Sequence, residues 1–164
     1  MIKERHLLSR FGFGMNLKVQ LDSKTKDYPT RLSVLLDKQR NVAITPEPDW
    51  VQEPIIDRKH TRSMSMEEKN KFFLARRSQW QDLKAWWYQE MVESDSPITE
   101  HMTLFWHNHF TSSLTKVRPP TLMYRQNALL RRHALGNFRE LLHRIAKDPA
   151  MIIYLDNETN RIRQ

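Results

Sequence analysis

The stretch PTLMYRQNALLRRHALGNFRELLHRIAKDPAMIIYL, residues 120–155, predicts three consecutive helices and thereby the fold class. Gly136 marks the end of the first helix, because glycine accepts the left-handed backbone that often follows a helix. The second helix carries an apolar stripe at spacings of three and four residues. Asp148 and Pro149 then combine a capping side chain with a proline suited to a first helical turn, and they open a third, short helix. The stripe of the second helix is Phe138, Leu141, Leu142 and Ile145.

Helix signals continue upstream of this stretch. Ser65 and Glu68 form a capping box, the S-x-x-E pattern, which predicts a long helix running to about Glu93. Ser96 and Pro97 predict the start of the next helix by the same cap-plus-proline logic. The long helix has an apolar face made of Phe72, Phe73, Trp80, Leu83, Trp87 and Met91.

The first third of the chain is less regular. Two short helices are predicted, at residues 3–14 and 28–40. Residues 41–63 contain the prolines of TPEPDWVQEP and lose helical periodicity, so they predict a long surface loop. With only three glycines in 164 residues, helices joined by short connections are favoured over hairpins. We therefore expect an all-α fold, an irregular multi-helix bundle with one long proline-rich loop, forming a single domain over residues 1–164.

The amino-acid composition excludes some kinds of functional site and limits the kinds of binding partner. The chain has no cysteine, so disulfides and thiolate metal sites are excluded. A formal net charge of +8 is compatible with an anionic partner, although dispersed basic residues more often serve solubility. No apolar run reaches the length of a membrane span, and the N-terminal residues lack the apolar region and the cleavage site expected of a signal peptide. The cellular compartment is left open.

The motif LFWHNHF, residues 104–110, is the main candidate for chemistry. His107 and His109 are two residues apart, and such residues project about 200° apart on a helix. They could bind one divalent metal only if the helix ended at the motif. The apolar pattern predicts that His109 is buried and His107 accessible. The third ligand of such a site would be His133, His143, Asp148, Asp156 or a residue beyond Gln164.

Two further sets of residues are candidates for function. Asp148, Asp156 and Asn157 could serve acid–base chemistry beside the histidines, or they could hold helices together as buried polar contacts. A basic set in the last third could bind nucleic acid or another polyanion, or it could be a solvated surface with internal ion pairs. This basic set is Arg125, Arg131, Arg132, Arg139 and Arg144.

Several of these motifs together resemble a bacterial family of unestablished role, domain of unknown function 1800. The resemblance rests on RHLLSRFGFG (5–14), LFWHNHFTSS (104–113), the long motif LMYRQNALLRRHALGNFRELLHRIAKDPAMIIYLDN (122–157) and TNR (159–161). It implies a mainly helical fold in which the hallmark WHNHF corresponds to Trp106 to Phe110. It also implies that the domain continues after residue 164, so we expect this chain to be truncated, the N-terminal part of a longer domain.

The resemblance also implies a partner. Members of the family are commonly encoded beside a second family, domain of unknown function 1501, and many look exported. We therefore order three hypotheses. The first hypothesis is a scaffold or partner-binding module, in which the histidine, aspartate and asparagine side chains hold helices together. The alternatives are a metal-dependent or acid–base enzyme using WHNHF, and a nucleic-acid or polyanion binder.

Overall fold

The computed structural model describes residues 6, 9–13, 29–30, 33, 43, 45–56 and 58–157. A short 3-10 helix, Asp49–Gln52, precedes six α-helices in the described part. The α-helices are α1 (Arg58–Ser63), α2 (Met66–Glu93), α3 (Pro97–His109), α4 (Pro120–Arg132), α5 (Phe138–Ile145) and α6 (Pro149–Tyr154). The described residues contain no strand, so the predicted all-α class is confirmed.

Local capping signals place the helix starts where the sequence predicts them. Ser65 caps α2 by accepting the Glu68 amide, and the Glu68 carboxylate accepts the Ser65 amide in return. Asp148 caps α6 by accepting the Met151 amide at 3.0 Å. These side chains satisfy amides that have no partner inside the helix, and this fixes the first turn. The capping box and the Asp148–Pro149 start are therefore confirmed.

Helix α4 is the central element of the fold. It packs against the 3-10 helix and against α2, α3, α5 and α6. Two apolar clusters lie along its length. One contains Trp50, Leu83, Trp86, Val117, Leu122 and Tyr124. The other contains Leu130, Leu141, Ile145 and Met151.

The expectation of a surface loop over residues 41–63 needs correction. The segment contains the 3-10 helix and α1, and Trp50 and Val51 of the 3-10 helix are buried in the first apolar cluster. The Trp50 ring packs edge-on to Tyr124 of α4, with centroids 6.5 Å apart. The segment joins the core because these two adjacent apolar side chains bury there. The flanking prolines keep the helix too short to show periodicity, and residues 45–48 stay non-helical as predicted.

The apolar face of α2 differs in part from the predicted one. Leu83 and Trp86 are buried, Trp87 is partly buried, and Tyr88 is exposed. Phe73, which was placed on the buried face, is 57% exposed near the start of the helix. The fully buried side chains of α2 all lie in its C-terminal half.

The predicted helices at 3–14 and 28–40 lie mostly outside the described residues. Within 3–14, residues 6 and 9–11 are helical, and Gly12 lies in the bend that follows. In 28–40, residues 29, 30 and 33 are helical. A search of the described helices for one long and apolar enough to cross a bilayer finds none.

Candidate functional site

A buried ion pair joins α3 to α4. Arg131 donates from Nε to Glu100 Oε1 at 2.7 Å and from Nη2 to Oε2 at 2.8 Å. Both side chains are almost fully removed from solvent, and the Arg131 guanidinium lies 5.0 Å from the Trp86 ring centre. Arg131 was expected among the polyanion-binding residues, and its burial corrects that expectation. The guanidinium already has its carboxylate partner inside the protein.

A buried hydrogen-bonded chain links three parts of the fold. Ser112, in the connection between α3 and α4, donates to the Gln126 side-chain oxygen. Gln126 of α4 then donates from Nε2 to Asp148 Oδ2 at 2.8 Å, and the same oxygen accepts the Met151 amide. Burial raises the pKa of Asp148, and the hydrogen bonds from Met151 and Gln126 partly oppose that rise. Asp148 therefore holds helices together in the structure.

Asp156 and Asn157 lie apart from Asp148, beyond the C-terminal end of α6. Asp156 is exposed, has a left-handed backbone with φ of 59°, and pairs with Lys116 Nζ at 2.6 Å. Asn157 is also exposed. The structure thus does not bring these two residues together with Asp148 in one buried site. As catalytic residues, all three stay predictions.

The two histidines of WHNHF have exchanged the environments that the sequence pattern predicted. His107 is the partly buried one, and its ring meets the Trp87 ring edge-on with centroids 4.8 Å apart. His109 is exposed and stacks on Phe105 at 6.2 Å. The assignment of His109 to the core and of His107 to the surface is therefore wrong.

The physical reason is that α3 buries its polar side. Thr99, Glu100 and Thr103 are buried, because Glu100 pairs with Arg131 and Thr103 donates to the Thr99 carbonyl. His107 follows Thr99 and Thr103 at spacings of four, so it falls on this same buried face. An apolar-stripe argument cannot identify such a face, because the side chain that neutralises Glu100 lies 31 residues away.

The metal hypothesis gains no support from this geometry. His107 and His109 lie on one regular helix, where residues two apart diverge by about 200°. Among residues 6, 9–13, 29–30, 33, 43, 45–56 and 58–157, no group of three or more histidine, aspartate or glutamate side chains could hold a metal ion. As ligands of a divalent metal, the two histidines stay a prediction.

Aromatic rings of α3 and α5 meet at one surface, which we call the aromatic surface: Phe105, Trp106, His109, Phe110 and Phe138. Trp106 is its anchor, because its ring stacks on Phe110 at 5.9 Å and on Phe138 at 5.6 Å, while its Nε1 donates to the Ala134 carbonyl at 2.8 Å. Phe105 and Phe138 remain 50% and 49% exposed. These large rings are thus held in fixed positions and are partly exposed to solvent.

The other four arginines of the basic set are exposed and fall into two groups. Arg125 and Arg144 line an open groove between α4 and the end of α5. Arg132 and Arg139 lie outside that groove. Arg144 also pairs with Glu140 at 2.8 Å, one of the internal ion pairs that the sequence allows.

The partial burial of His107 predicts a pH-dependent stability. Burial lowers the pKa of His107 below its usual 6.5, and its Nδ1 has no hydrogen-bond partner among the described residues. The neutral ring is therefore favoured in the folded state, and its contribution to stability is lost as the pH falls from 6.5 through the lowered pKa. His107→Leu should reduce the fall in melting temperature between about pH 6.5 and about pH 5. Burial also lowers the pKa of His133, so the variant should retain part of the fall in melting temperature. An unchanged pH slope would contradict the prediction.

The comparison with family models returns one match. Residues 6–164 match the family described as protein of unknown function, DUF1800. No curated protein and no solved structure matches the chain. The matched range includes WHNHF, the buried ion pair and the Asp148 cap, and it covers nearly the whole sequence. The resemblance carried by the sequence motifs is therefore confirmed, and the chain belongs to the DUF1800 family.

Proposed function

We propose that this protein is a helical scaffold that binds a protein partner through the aromatic surface. The observation that carries the proposal is the exposure of Phe105 and Phe138, each about half accessible, beside rings that are fixed underneath. Water around such rings is released when a partner covers them, which favours association. Rigid aromatic side chains also lose little conformational entropy on binding, and so they are common energetic centres of interfaces.

The polar contacts of the interior support the scaffold part of the proposal. Glu100–Arg131 ties α3 to α4, and the chain Ser112–Gln126–Asp148 ties α4 to the start of α6. These contacts join the helices through buried charged and polar side chains. The aromatic surface lies on α3 and α5, the helices whose positions these contacts and the second apolar cluster fix.

The chemistry of the surface also indicates the partner. Leu142, one helical turn after Phe138 on α5, and Leu135, in the turn before α5, are also exposed, and the basic residue Arg139 follows Phe138 directly. A complementary partner presents apolar side chains at its centre and carboxylates at its edge. The family resemblance suggests a protein of the domain of unknown function 1501 family as the first partner to test.

We expect that Phe105→Ala combined with Phe138→Ala weakens binding to that partner by about tenfold or more, because truncation of central aromatic residues typically costs over 1 kcal/mol each. Isothermal titration calorimetry with the two purified proteins measures the effect. Phe73→Ala is the matched control, since Phe73 is 57% exposed on the distant half of α2 and its truncation should leave the affinity unchanged.

Two outcomes would contradict the proposal. Equal affinities for the double variant and the wild type would remove the aromatic surface as the interface. Absence of heat and of complex at protein concentrations of about 100 µM would remove this family as the partner. Far-UV circular dichroism of each variant ensures that a loss of binding is not a loss of folding.

A further inference from the structure

A second surface, separate from the aromatic surface, has the features of a small-molecule site. It is the open groove between α4 and the segment that joins α5 to α6, with a volume of about 580 Å³. This volume falls within the range typical of ligand-binding clefts. Leu129 and Pro149 contribute apolar surface to the groove, and four basic side chains surround them: Arg125, His143, Arg144 and Lys147.

Three of these basic side chains are available to a ligand. Arg125, His143 and Lys147 are exposed and form no side-chain hydrogen bond or ion pair within the part of the chain that the structure describes. Arg125 projects from α4, whereas His143 and Lys147 lie four residues apart on α5 and just after it. The groove thus has cationic groups on both of its sides.

The two carboxylates of the groove are already engaged. Glu140 accepts from Arg144 Nε at 3.0 Å and from Nη2 at 2.8 Å, so its charge is offset by that arginine. Asp148 is buried and directs Oδ2 to Gln126 and to the Met151 amide. Bound carboxylates repel an incoming anion less than free ones do, because their charge is partly compensated. Three arginine and lysine charges against two carboxylates leave the lining with a net charge of +1.

We propose that this groove binds a small phosphorylated molecule. Arginine offers parallel N–H donors that match phosphate oxygens, lysine adds a compact charge, and a histidine ring adds one N–H. Leu129 and Pro149 offer contact to the organic part of the ligand. The site lies on the opposite side of α5 from Phe138, and ligand binding there is independent of the aromatic surface.

The test is titration of the protein with inorganic pyrophosphate, followed by calorimetry and by the backbone amide chemical shifts of residues 143–148. Arg125→Gln with Lys147→Gln removes two cations from the groove and leaves the Arg144–Glu140 pair intact. Arg132→Gln with Arg139→Gln is the matched control, since it removes the same charge from exposed positions on α4 and α5 that lie outside the groove.

We expect saturable binding of one pyrophosphate, weakened about tenfold or more by the groove substitutions and less than about twofold by the control pair. The Phe105→Ala/Phe138→Ala variant should bind pyrophosphate as the wild type does. Equal weakening by both charge pairs would show that dispersed positive charge attracts the anion, and would overturn the proposal. A linear, non-saturating response to pyrophosphate would overturn it too. Tighter binding to duplex DNA, reduced equally by both pairs, would assign the basic residues to a nucleic acid instead.

Discussion

Arg131→Met should lower the free energy of unfolding by about 3–5 kcal/mol. The substitution keeps much of the side-chain volume and removes the only charge that is bonded to Glu100 in the described structure. Glu100 is 2% exposed, so its carboxylate would stay inside the protein without water and without a cation. A typical domain is stable by about 5–15 kcal/mol, so this one change removes a large share.

The double variant Glu100→Leu/Arg131→Met shows how much of this loss of stability comes from leaving the Glu100 carboxylate buried without its partner. A buried ion pair has a large desolvation cost, so replacing both partners by apolar side chains of similar volume is often neutral or stabilising. We therefore expect the double variant to regain at least about 2 kcal/mol over Arg131→Met. Urea denaturation followed by circular dichroism measures all three stabilities, provided that the slope with denaturant is unchanged.

Arg132→Met is the control for this series. Arg132 is the next residue along α4 and is exposed, so the same substitution there should change stability by no more than about 0.5 kcal/mol. Similar losses for Arg131→Met and Arg132→Met would contradict the role of the buried pair. A double variant no more stable than Arg131→Met would show that the guanidinium acts through its packing on Trp86 instead.

Helix starts follow from local sequence, whereas the burial of polar side chains depends on residues far apart along the chain. Ser65 with Glu68, and Asp148 with Pro149, predict helix starts correctly, because each capping contact spans only three residues. The burial of Glu100 depends on Arg131, far along the chain, and no local pattern contains that pairing. The histidines of WHNHF were assigned to the wrong sides for the same reason, since the polar face of α3 is the one that packs.

Local sequence patterns also fail to predict the burial of Gln126 and the exposure of Phe105. Gln126 lies between Arg125 and Asn127, in a polar run that gives no sign of burial, yet it is fully buried and bonded to Ser112 and Asp148. Phe105 lies four residues before His109, on the side of α3 that the apolar pattern assigns to the core, and it is instead half exposed. A buried polar side chain needs a partner, and here the partners lie 22 and 31 residues away along the chain, so local sequence does not reveal the burial.

Substitutions of Asp148 test whether its carboxylate is structural. Asp148→Ala should lower the free energy of unfolding by about 2–4 kcal/mol, because α6 loses its N-cap and the buried Gln126 amide loses its acceptor. Asp148→Asn keeps one oxygen at the position where both donors converge. We expect that variant to remain within about 1 kcal/mol of the wild type. Urea denaturation at neutral pH measures both.

The pH dependence gives this prediction a definite sign. Burial raises the pKa of Asp148 in the folded state above its usual 3.8, so the protonated form is favoured by folding. The wild type therefore loses stability from this group as the pH rises from 3.8 through the raised pKa, and nothing more is lost above it. Asparagine does not titrate, so the stability of Asp148→Asn relative to wild type should increase across that window. Subtracting the two curves cancels the other titrating groups. A relative stability that decreases with rising pH would contradict the assigned direction.

The same two variants distinguish the scaffold from an enzyme that uses Asp148 as an acid or base. A structural carboxylate can be replaced by an amide of the same shape, so Asp148→Asn should fold and bind the protein partner with wild-type affinity. Asp148→Ala should bind with the same affinity wherever it is folded, since Asp148 is not part of the aromatic surface. If Asp148→Asn keeps its stability but loses an activity, Asp148 acts as an acid or base. Proton transfer needs the ionisable carboxylate, whereas helix capping needs only an oxygen acceptor.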